Sequence, residues 1–396
     1  MFPQGVFMKY CNVCLQPDTR PNVIFHPDGV CAACRFQEER KNIDWDKRDK
    51  EIKKIAQWAK KHSTYFDCVV GVSGGRDSTF QALYARDVLG LKVLLANAAP
   101  DHITPWGRAN IENLVQMGFD LISVRPNPII NKITMKGAFY KYGNPLKPTE
   151  YYLWASAYRI AINYNVPLIL QGENVAITLG LKGMEPTGDA LQIFKHNTIQ
   201  EEASIWESEK VKKEDLYFWT PPTKEEIDKS GVKAVFASYY SPDWSWSGNT
   251  RFSIRRGLRG RDNHRPENVG YLSPYVQIDT DMLPVSNLLK YLKFGFGGVT
   301  DEVCYDLREG RVTQDEVCYD LAGENLTKEK AIQLIEQYDG KCSNEYIGIL
   351  CDYIGISIEE FWTHVDNHVV NKKLFRKDPK TGTWVPKFKV GVGLKE

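Results

Sequence analysis

The chain has 396 residues, and 51 Lys and Arg against 50 Asp and Glu give it a net charge of +1 at pH 7. This balance excludes a global field that would recruit nucleic acid or an anionic membrane, although local charged patches can still exist. A hydrophobic content of 42% is ordinary for a globular protein of two or three domains. Since neither a leader-like N-terminus nor an apolar run of about 18 residues occurs, we expect a cytoplasmic protein with small-molecule partners.

Four of the nine cysteines fall in two close pairs near the N-terminus. Cys11 and Cys14 form one C-x-x-C motif, and Cys31 and Cys34 form a second after sixteen intervening residues. Each motif places two thiolates on one side of a tight turn, and two motifs complete a closed tetrahedral site, which is typical of structural zinc. Unrelated thiols or a redox pair are the alternatives. A charged helix over 45–61 completes the first predicted domain, 1–62.

The segment 68–80 predicts a strand, a glycine-rich loop and a helix. An apolar, β-branched run at 69–72 is typical of a buried parallel strand, and apolar residues recur at helical spacing from Phe80 onward. The loop between them consists of Ser73, Gly74, Gly75, Arg76, Asp77 and Ser78. Two glycines allow successive backbone N–H groups to surround an anion at a helix N-terminus. Serine hydroxyls and Arg76 would add donors, and Asp77 could hold a magnesium ion that accompanies a polyphosphate.

Three interpretations of this loop compete. It could be a tight turn without a ligand, but such a turn requires neither the serines nor the acid. The residues 71–75 also fit G-x-S-x-G, the nucleophile elbow of hydrolases, yet no separate feature marks a partner acid and histidine. A Walker loop is excluded because G-x-x-x-x-G-K-[ST] does not occur. The pattern Ser-Gly-Gly-x-Asp-Ser after a first strand instead resembles the PP-loop of the ATP pyrophosphatase superfamily, whose members cleave ATP between the α and β phosphates.

Strand and helix patterns alternate through the second predicted domain, 63–185. The predicted strands are 68–72, 92–96, 120–124 and 167–170, and the predicted helices are 78–89, 105–117 and 150–164. This alternation indicates an α/β fold with a doubly wound parallel sheet. Ligands of such sheets bind at the carboxyl ends of the strands, where Gly172, Glu173 and Asn174 follow the last predicted strand. We expect Glu173 and Asn174 to act in catalysis, with helix capping as the alternative.

Beyond residue 185 the alternation fades, and a region over 186–290 combines aromatic residues with arginines. Trp244 and Trp246 lie in the aromatic stretch, and the arginines follow at 251, 255, 256, 259, 261 and 265. Arginines bind phosphate or carboxylate in bidentate fashion while aromatic faces stack on sugars or bases. Trp244, Arg255 and Arg256 are therefore candidate substrate-binding residues, and a solvated basic loop is the alternative.

The last region, 291–396, is predicted to be mainly helical. The heptapeptide Asp-Glu-Val-Cys-Tyr-Asp-Leu occurs at 301–307 and again at 315–321, a local duplication too short for a solenoid. Cys304 and Cys318 are accordingly expected to be packing residues. His364 and His368 lie four residues apart without an H-E-x-x-H motif, so we expect a solvated face. A basic hairpin is predicted to turn at 378–382.

Taken together, these motifs resemble the N-acetyl sugar amidotransferases of bacterial surface-polysaccharide synthesis, for example of LPS O-antigen. The resemblance rests on the two cysteine motifs with Pro-Asp-Thr-Arg-Pro and Asp-Gly-Val between them, on the PP-loop, on Gly-Glu-Asn at 172–174, and on Lys-Phe-Gly-Phe-Gly at 293–297 and Glu-Glu-Phe-Trp at 359–362. It spans nearly the whole chain and adds Lys293 to the candidate substrate-binding residues. The duplicated heptapeptide departs from the family pattern.

The resemblance implies a PP-loop, adenine nucleotide α-hydrolase-like fold and an ATP-dependent conversion of a sugar's acetamido group into an acetamidino group, with AMP and pyrophosphate as products. ATP, Mg²⁺ and structural Zn²⁺ are the implied cofactors, and the sugar is expected to be nucleotide-linked. Members of the family commonly draw ammonia from a separate glutaminase through a cyclase-like subunit, and no glutaminase signature occurs here. The alternative is a tRNA thiolation enzyme, which usually needs additional reactive cysteines near the loop. A nucleotide-sensing binding protein is a third possibility.

Overall fold

The computed structural model describes residues 8–195, 199, 201–310 and 326–394. The strands of its central sheet are β1 (Cys68–Gly71), β2 (Val93–Ala98), β3 (Asp120–Val124), β4 (Leu168–Gln171) and β5 (Lys233–Phe236). They are all parallel and lie in the order β3-β2-β1-β4-β5. After β1 the chain first adds β2 and β3 on one side of it and then β4 and β5 on the other side. Such a change of side leaves a crevice at the carboxyl ends of the strands, next to β1.

Strand β1 occupies the middle of the sheet because it is apolar on both faces. Cys68, Val69 and Val70 are completely buried, and Val69 pairs in register with Leu94 and Ile169. A parallel strand that is covered on both faces consists of a continuous apolar run rather than an alternating one. The predicted doubly wound parallel sheet is confirmed.

Helices cover both faces of this sheet. The α-helices of the described part of the chain are, in chain order, α1 (Ala32–Glu39), α2 (Trp45–His62), α3 (Arg76–Leu83), α4 (Pro105–Gln116), α5 (Pro128–Tyr142), α6 (Lys147–Asn163), α7 (Val175–Thr178), α8 (Lys224–Ser230), α9 (Ala237–Tyr240), α10 (Trp246–Ile254), α11 (Pro266–Val269), α12 (Leu283–Phe294), α13 (Gly298–Glu309), α14 (Lys328–Tyr338), α15 (Asn344–Ile354) and α16 (Ile358–His364). Helices α2, α3 and α4 share one apolar core with Val70, whereas α5 and α6 share another with Val69. Alternate side chains of β1 therefore serve the two layers.

The N-terminal lobe, 8–42, packs on the rest of the chain through polar contacts. Gln16 Nε2 donates to the carbonyl of Leu179 at 3.0 Å, and Thr19 Oγ1 donates to that of Phe294 at 2.6 Å. The buried guanidinium of Arg20 pairs with Asp301 of α13. The Pro-Asp-Thr-Arg-Pro sequence thus attaches the lobe to the C-terminal region.

The C-terminal region is mainly helical, as predicted. Its core gathers apolar side chains from α12 to α16 and includes Phe139 of α5, so that the region packs directly on the sheet domain. The antiparallel pair β6 (Phe375–Lys377) and β7 (Trp384–Pro386) forms the predicted hairpin, and β8 (Phe388–Lys389) pairs with β9 (Gly393–Leu394). The first copy of the duplicated heptapeptide lies in α13, whereas the second copy, with Cys318, falls outside the described residues.

Two elements of the sheet domain were not predicted. Strand β5 extends the sheet beyond residue 185, because a single short strand leaves little periodicity in the sequence. Asn127 caps the start of helix α5, and its Oδ1 accepts a hydrogen bond from the amide of Ile129 at 2.9 Å. Gly143, with φ +57, caps the end of the helix. A capping asparagine, Pro128 at the first helical position and a terminal glycine are recognised start and stop signals, so this helix could have been found.

Candidate active site

The glycine-rich loop runs from β1 into α3 at the carboxyl end of the sheet. Gly74 has φ +84, and a Cβ at this position would lie 2.4 Å from the carbonyl oxygen of Gly107 in α4. Only glycine combines this backbone conformation with so close an approach. The loop therefore presents backbone N–H groups and the N-terminus of α3 with little side-chain bulk, which suits an anion.

The two predicted loop serines occupy the start and end of this turn. Ser78 Oγ donates to the carbonyl of Gly75 at 3.1 Å and lies 3.4 Å from the amide nitrogen of Ser73. Both serines are only partly buried. The hydroxyl of Ser78 thus closes the loop on itself, and both side chains are within the turn that would surround a phosphate.

Arg76 does not extend into the open side of the loop. Its side chain is 5% exposed, its guanidinium lies 3.6 Å above the ring of Trp246, and Nη1 donates to Thr250 Oγ1 at 3.2 Å. That Arg76 supplies a donor to phosphate stays a prediction, which this position of the side chain does not favour. Arg76 instead attaches the loop to α10, a contact that a sequence cannot specify because the two residues are 170 positions apart along the chain.

Asp77 is held at the mouth of the loop by α10. Asn249 Nδ2 donates to Asp77 Oδ1 at 2.7 Å, while the Asp77 side chain remains 49% exposed. An oriented and accessible carboxylate beside a phosphate-binding loop is a suitable ligand for Mg²⁺. Asn249 was not predicted, since a lone asparagine in a helix carries no distinctive signal.

Glu173 follows β4, the parallel neighbour of β1, and so lies at the same edge of the sheet as the loop, the carboxyl ends of the strands. Its Oε1 accepts a hydrogen bond from the hydroxyl of Tyr305 in α13. Burial and the nearby charge of Asp77 raise the pKa of Glu173, while hydrogen bonds from Thr178 and Tyr305 act in the opposite direction. A carboxyl group with a raised pKa is suited to proton transfer.

Asn174 is completely buried and caps α7. Its Oδ1 accepts from the amide of Ala176 at 3.0 Å, and its Nδ2 donates to the carbonyls of Glu185 and Thr187, each at 2.9 Å. All the polar atoms of this side chain are occupied by backbone groups. The capping alternative is therefore confirmed, whereas a catalytic role for Asn174 stays a prediction.

Gly172 allows an aromatic wall to approach the strand end. A Cβ on Gly172 would lie 2.9 Å from Cη2 of Trp244, which is 7% exposed and packs edge-on against Phe80. Trp244 thus lines the site from a packed position.

Asp77 and Glu173 line a common pocket, which encloses about 70 Å³ and opens to solvent. Its other walls come from Trp244, Trp246, Tyr305 and Arg308, and helix α1 of the N-terminal lobe contributes Phe36. The two carboxylates that the sequence predicted are therefore brought together. Arg40 of the lobe also lines this cavity and was not predicted. Tyr305 and Arg308 were not predicted either, because they belong to α13, where the sequence showed only a repeat.

A second cavity of about 540 Å³ shares Gln37, Arg40, Ser245 and Glu309 with the first. It is also lined by Arg251, the first arginine of the basic stretch. Glu309 accepts hydrogen bonds from the backbone amides of Trp246 at 2.7 Å and Ser247 at 3.3 Å. The two cavities thus adjoin around the N-terminus of α10.

The predicted arginine pocket does not form as one cluster. Arg255 and Arg256 are exposed at the far end of α10, where Arg256 lies 3.5 Å above the ring of Phe252. Arg261 is buried and pairs with Asp281 at 2.8 Å. Neither Arg255 nor Arg256 lines either cavity, and their binding to substrate stays a prediction. Helix geometry disperses the side chains of residues that are close in sequence.

Lys293 also lies away from both cavities. Its Nζ donates to the carbonyl of Tyr142 at 3.1 Å, and burial together with the charge of Lys147 lowers its pKa to about 8. The contact of Lys293 with Tyr142 helps α12 to pack on α5, and its binding to substrate stays a prediction.

The four predicted metal ligands converge in the N-terminal lobe. The sulfur atoms of Cys11, Cys14, Cys31 and Cys34 lie within 4.8 Å of one another, and all four residues are buried. The Cys11–Cys34 and Cys14–Cys31 sulfur distances are 3.8 and 3.7 Å. A tetrahedron with Zn–S bonds of about 2.3 Å has edges of about 3.8 Å, so this arrangement fits zinc.

Backbone groups and α13 complete the surroundings of this cysteine cluster. The amides of Val13 and Cys31 donate to Cys11 Sγ at 3.4 and 3.3 Å, which favours a thiolate. Cys304 packs against the cluster, and the guanidinium of Arg308 interacts electrostatically with Cys14. The expectation that Cys304 is a packing residue agrees with this position.

A series of four contacting side chains runs from the loop toward the cysteine cluster. The guanidinium of Arg76 lies 3.6 Å from the ring centre of Trp246, and the ring centres of Trp246 and Tyr305 are 4.2 Å apart. The guanidinium of Arg308 lies 4.6 Å from the ring centre of Tyr305. We call these four residues the Trp246–Tyr305 bridge. Each cation–π contact contributes about 0.5–2 kcal/mol, depending on its burial. One continuous set of contacts thus connects α3, α10 and α13.

Residues 314–389 match the family model described as "LPS biosynthesis protein WbpG-like, C-terminal domain". No curated protein matches the chain. A solved structure of NMN synthetase from Francisella tularensis is similar over 56% of this chain and 100% of that chain, with 13% sequence identity and a TM-score of 0.29. So low a TM-score supports no conclusion, and the fold assignment depends on the sheet and loop described above.

Among the described residues, no helix combines the length and apolar character needed to cross a membrane. The family-model match begins after α13 and includes α14, α15, α16 and the β6–β7 hairpin. This part of the chain is therefore similar to the C-terminal domain of WbpG-like LPS biosynthesis proteins, which supports the suspected resemblance to the sugar amidotransferases of surface-polysaccharide synthesis.

Proposed function

We propose that this protein is an ATP-dependent amidotransferase that converts the acetamido group of an N-acetyl sugar into an acetamidino group. The observation that carries the proposal is that Asp77, beside the phosphate-binding loop, and Glu173, with a raised pKa, line one cavity. An enzyme that joins ATP to a second substrate needs such a shared space. The family match adds a role in LPS biosynthesis.

The loop 73–78 would hold the phosphates that leave. Backbone N–H groups at Gly74 and Gly75 and the hydroxyls of Ser73 and Ser78 offer hydrogen bonds to pyrophosphate, and Asp77 would hold the magnesium that accompanies ATP. Donors that are fixed before the reaction stabilise developing negative charge without reorganisation. Most of the rate enhancement would come from this stabilisation and from positioning.

The acceptor would enter the cavity with its acetamido carbonyl oxygen toward the α-phosphorus. As that oxygen forms a bond to phosphorus, the bond to pyrophosphate breaks and the acetamido nitrogen loses its proton. Glu173 is the group that we assign to receive this proton. The resulting O-adenylyl imidate has AMP as a good leaving group, whereas an amide resists direct attack by ammonia.

Ammonia would then add to the imidate carbon, and AMP would leave with the former carbonyl oxygen. Because free ammonia is scarce near neutral pH, we propose a separate glutaminase, with a cyclase-like subunit, as its source. Burial raises the pKa of Cys68 and Cys342 above the ordinary range, which disfavours a thiolate nucleophile. The other described cysteines outside the cluster are Cys304 and Cys351, and both are buried.

The cysteine cluster would hold one structural zinc ion. Its four thiols leave no open coordination position for a substrate, so we assign it no chemical step.

The competing interpretation is a tRNA thiolation enzyme. No described cysteine lines either cavity beside the loop, and Cys68 is enclosed within β1. Thiolation usually requires a reactive sulfur near the adenylated base, so this arrangement disfavours it.

The test is to incubate the purified chain with ATP, Mg²⁺, ammonium and a panel of nucleotide-linked N-acetyl sugars. We expect AMP, pyrophosphate and a sugar in which NH replaces one oxygen, detected by mass spectrometry with heavy-nitrogen ammonium. Glutamine alone should not replace ammonium. Production of ADP and phosphate, or modification of tRNA and not of a sugar, would contradict the proposal.

A further inference from the structure

We propose that the Trp246–Tyr305 bridge positions Glu173 relative to the phosphate-binding loop and makes the N-terminal lobe part of the active centre. The inference rests on the proposed function for the role of Glu173. Its structural basis, the series of contacts between Arg76, Trp246, Tyr305 and Arg308, is independent of the reaction.

The bridge fixes both sides of the cavity at once. Arg76 belongs to the loop end of α3 and adjoins Asp77, whereas Tyr305 donates its hydroxyl to Glu173. Trp246 lies between Arg76 and Tyr305 and contacts both. A displacement of this ring would therefore move the loop and Glu173 relative to each other.

Helix α13 carries the far end of the bridge, and several parts of the chain, including the N-terminal lobe, hold this helix. Arg308 donates to the carbonyls of Cys304 at 2.7 Å and of Thr178 in α7, close to the cysteine cluster. Three residues before Tyr305, Glu302 is buried and accepts from the backbone amides of Leu272 at 2.8 Å and Ser273 at 2.9 Å. Asp301, one residue earlier, pairs with Arg20 of the lobe. Helix α13 is thus held on several sides, and its orientation depends on the lobe.

Tyr305 is a positioning residue in this account, because its hydroxyl acts on the acceptor only through Glu173. Tyr305→Phe keeps the ring contacts and removes the hydrogen bond to Glu173. Trp246→Leu keeps the Tyr305 hydroxyl that donates to Glu173 and removes the ring contacts of Trp246 with Arg76 and Tyr305. Tyr140→Phe is the matched control, since Tyr140 also donates to a glutamate, Glu360, but lies at the exposed α5 surface.

The first experiment measures the reaction of the zinc-loaded full chain. We expect Tyr305→Phe to lower kcat about tenfold or more, because the Glu173 carboxylate is no longer held in place. The KM for ATP should stay within about twofold, because the nucleotide site is not disturbed. In a chain that already carries Glu173→Gln, adding Tyr305→Phe should lower kcat little further, since the two residues act as one unit. Equal effects of Tyr305→Phe and Tyr140→Phe, or full additivity with Glu173→Gln, would overturn the assignment.

The second experiment does not depend on the reaction. Hydrogen–deuterium exchange should become faster in peptides covering 73–78 and 173–178 in Trp246→Leu, and in 173–178 in Tyr305→Phe, but not in Tyr140→Phe. Exchange that changes only beside the substituted residue would overturn the bridge. If the wild-type chain produces no AMP with any acceptor, the proposed function fails, whereas the exchange result still decides whether the bridge couples the two segments.

Discussion

Asn249 of α10 donates its side-chain amide to Oδ1 of Asp77 at 2.7 Å, so that the carboxylate beside the phosphate-binding loop is oriented by a residue from a distant part of the chain. Asn249 is completely buried, whereas half of the Asp77 side chain is exposed. The rigid member of the pair thus directs the accessible one toward the cavity.

Replacing Asn249 with Ala should lower kcat/KM for ATP about 10- to 100-fold, because a hydrogen bond to a charged group contributes about 1.5–3 kcal/mol. Steady-state kinetics of AMP formation measures this. Asn113→Ala is the control, since Asn113 Nδ2 donates to the carbonyl of Arg256 at 2.9 Å outside the cavities. Equal losses in both variants would show that Asn249 has no specific role.

Gly74→Ala should destabilise the fold by about 1–3 kcal/mol and abolish ATP turnover, because a Cβ at φ +84 is strained and meets the carbonyl oxygen of Gly107. Gly71→Ala provides a matched control on the same segment, since a Cβ there has no neighbour within 4 Å. Urea unfolding and pyrophosphate release measure the two effects. Turnover by Gly74→Ala at the level of Gly71→Ala would contradict the described loop geometry.

The purified chain should contain one zinc per molecule, and Cys34→Ser should lose it together with stability on the order of several kcal/mol. Metal analysis and thermal unfolding are the measurements. Cys342→Ser, outside the cluster, should keep its zinc. A wild-type chain prepared without chelator that contains no zinc would refute the assignment.

Asp301 should stabilise the fold in a pH-dependent way. Burial would raise its pKa, but Arg20 and Lys290 outweigh burial and lower the pKa to about 2. Since the folded pKa lies below the unfolded value of 3.8, the stabilisation is present above about pH 4 and is lost as the pH falls toward 2. It should amount to about 2 kcal/mol.

Urea unfolding of the wild type and Asp301→Asn at several pH values measures this contribution. The difference in free energy of unfolding between the two proteins should shrink as the pH falls from 5 to 3. A difference that is constant over that range would show that the charge of Asp301 does not contribute.

Local sequence predicted much of the fold, because short-range patterns determine the strands and the loop. The buried run at 69–72, the paired glycines and the two cysteine motifs each carry their signal within a few residues. The cavity walls depend instead on contacts between distant residues, such as Arg76 with Trp246 and Tyr305 with Glu173. Arg255 and Arg256 lie outside both cavities, because proximity in sequence does not place side chains on the same surface. Asn174 caps α7, a role that the sequence could not separate from catalysis because both use the same residue type.

In the proposed reaction, the acetamido oxygen of the acceptor attacks the α-phosphorus of ATP. An N-acetyl sugar acceptor with heavy oxygen in its acetamido carbonyl, incubated with ATP, Mg²⁺ and ammonium, tests this step when the nucleotide product is analysed by mass spectrometry. We expect AMP with the heavy oxygen in its phosphate and an acetamidino sugar without it. AMP without the label alongside an acetamidino sugar, or ADP as the nucleotide product, would rule out attack by this oxygen.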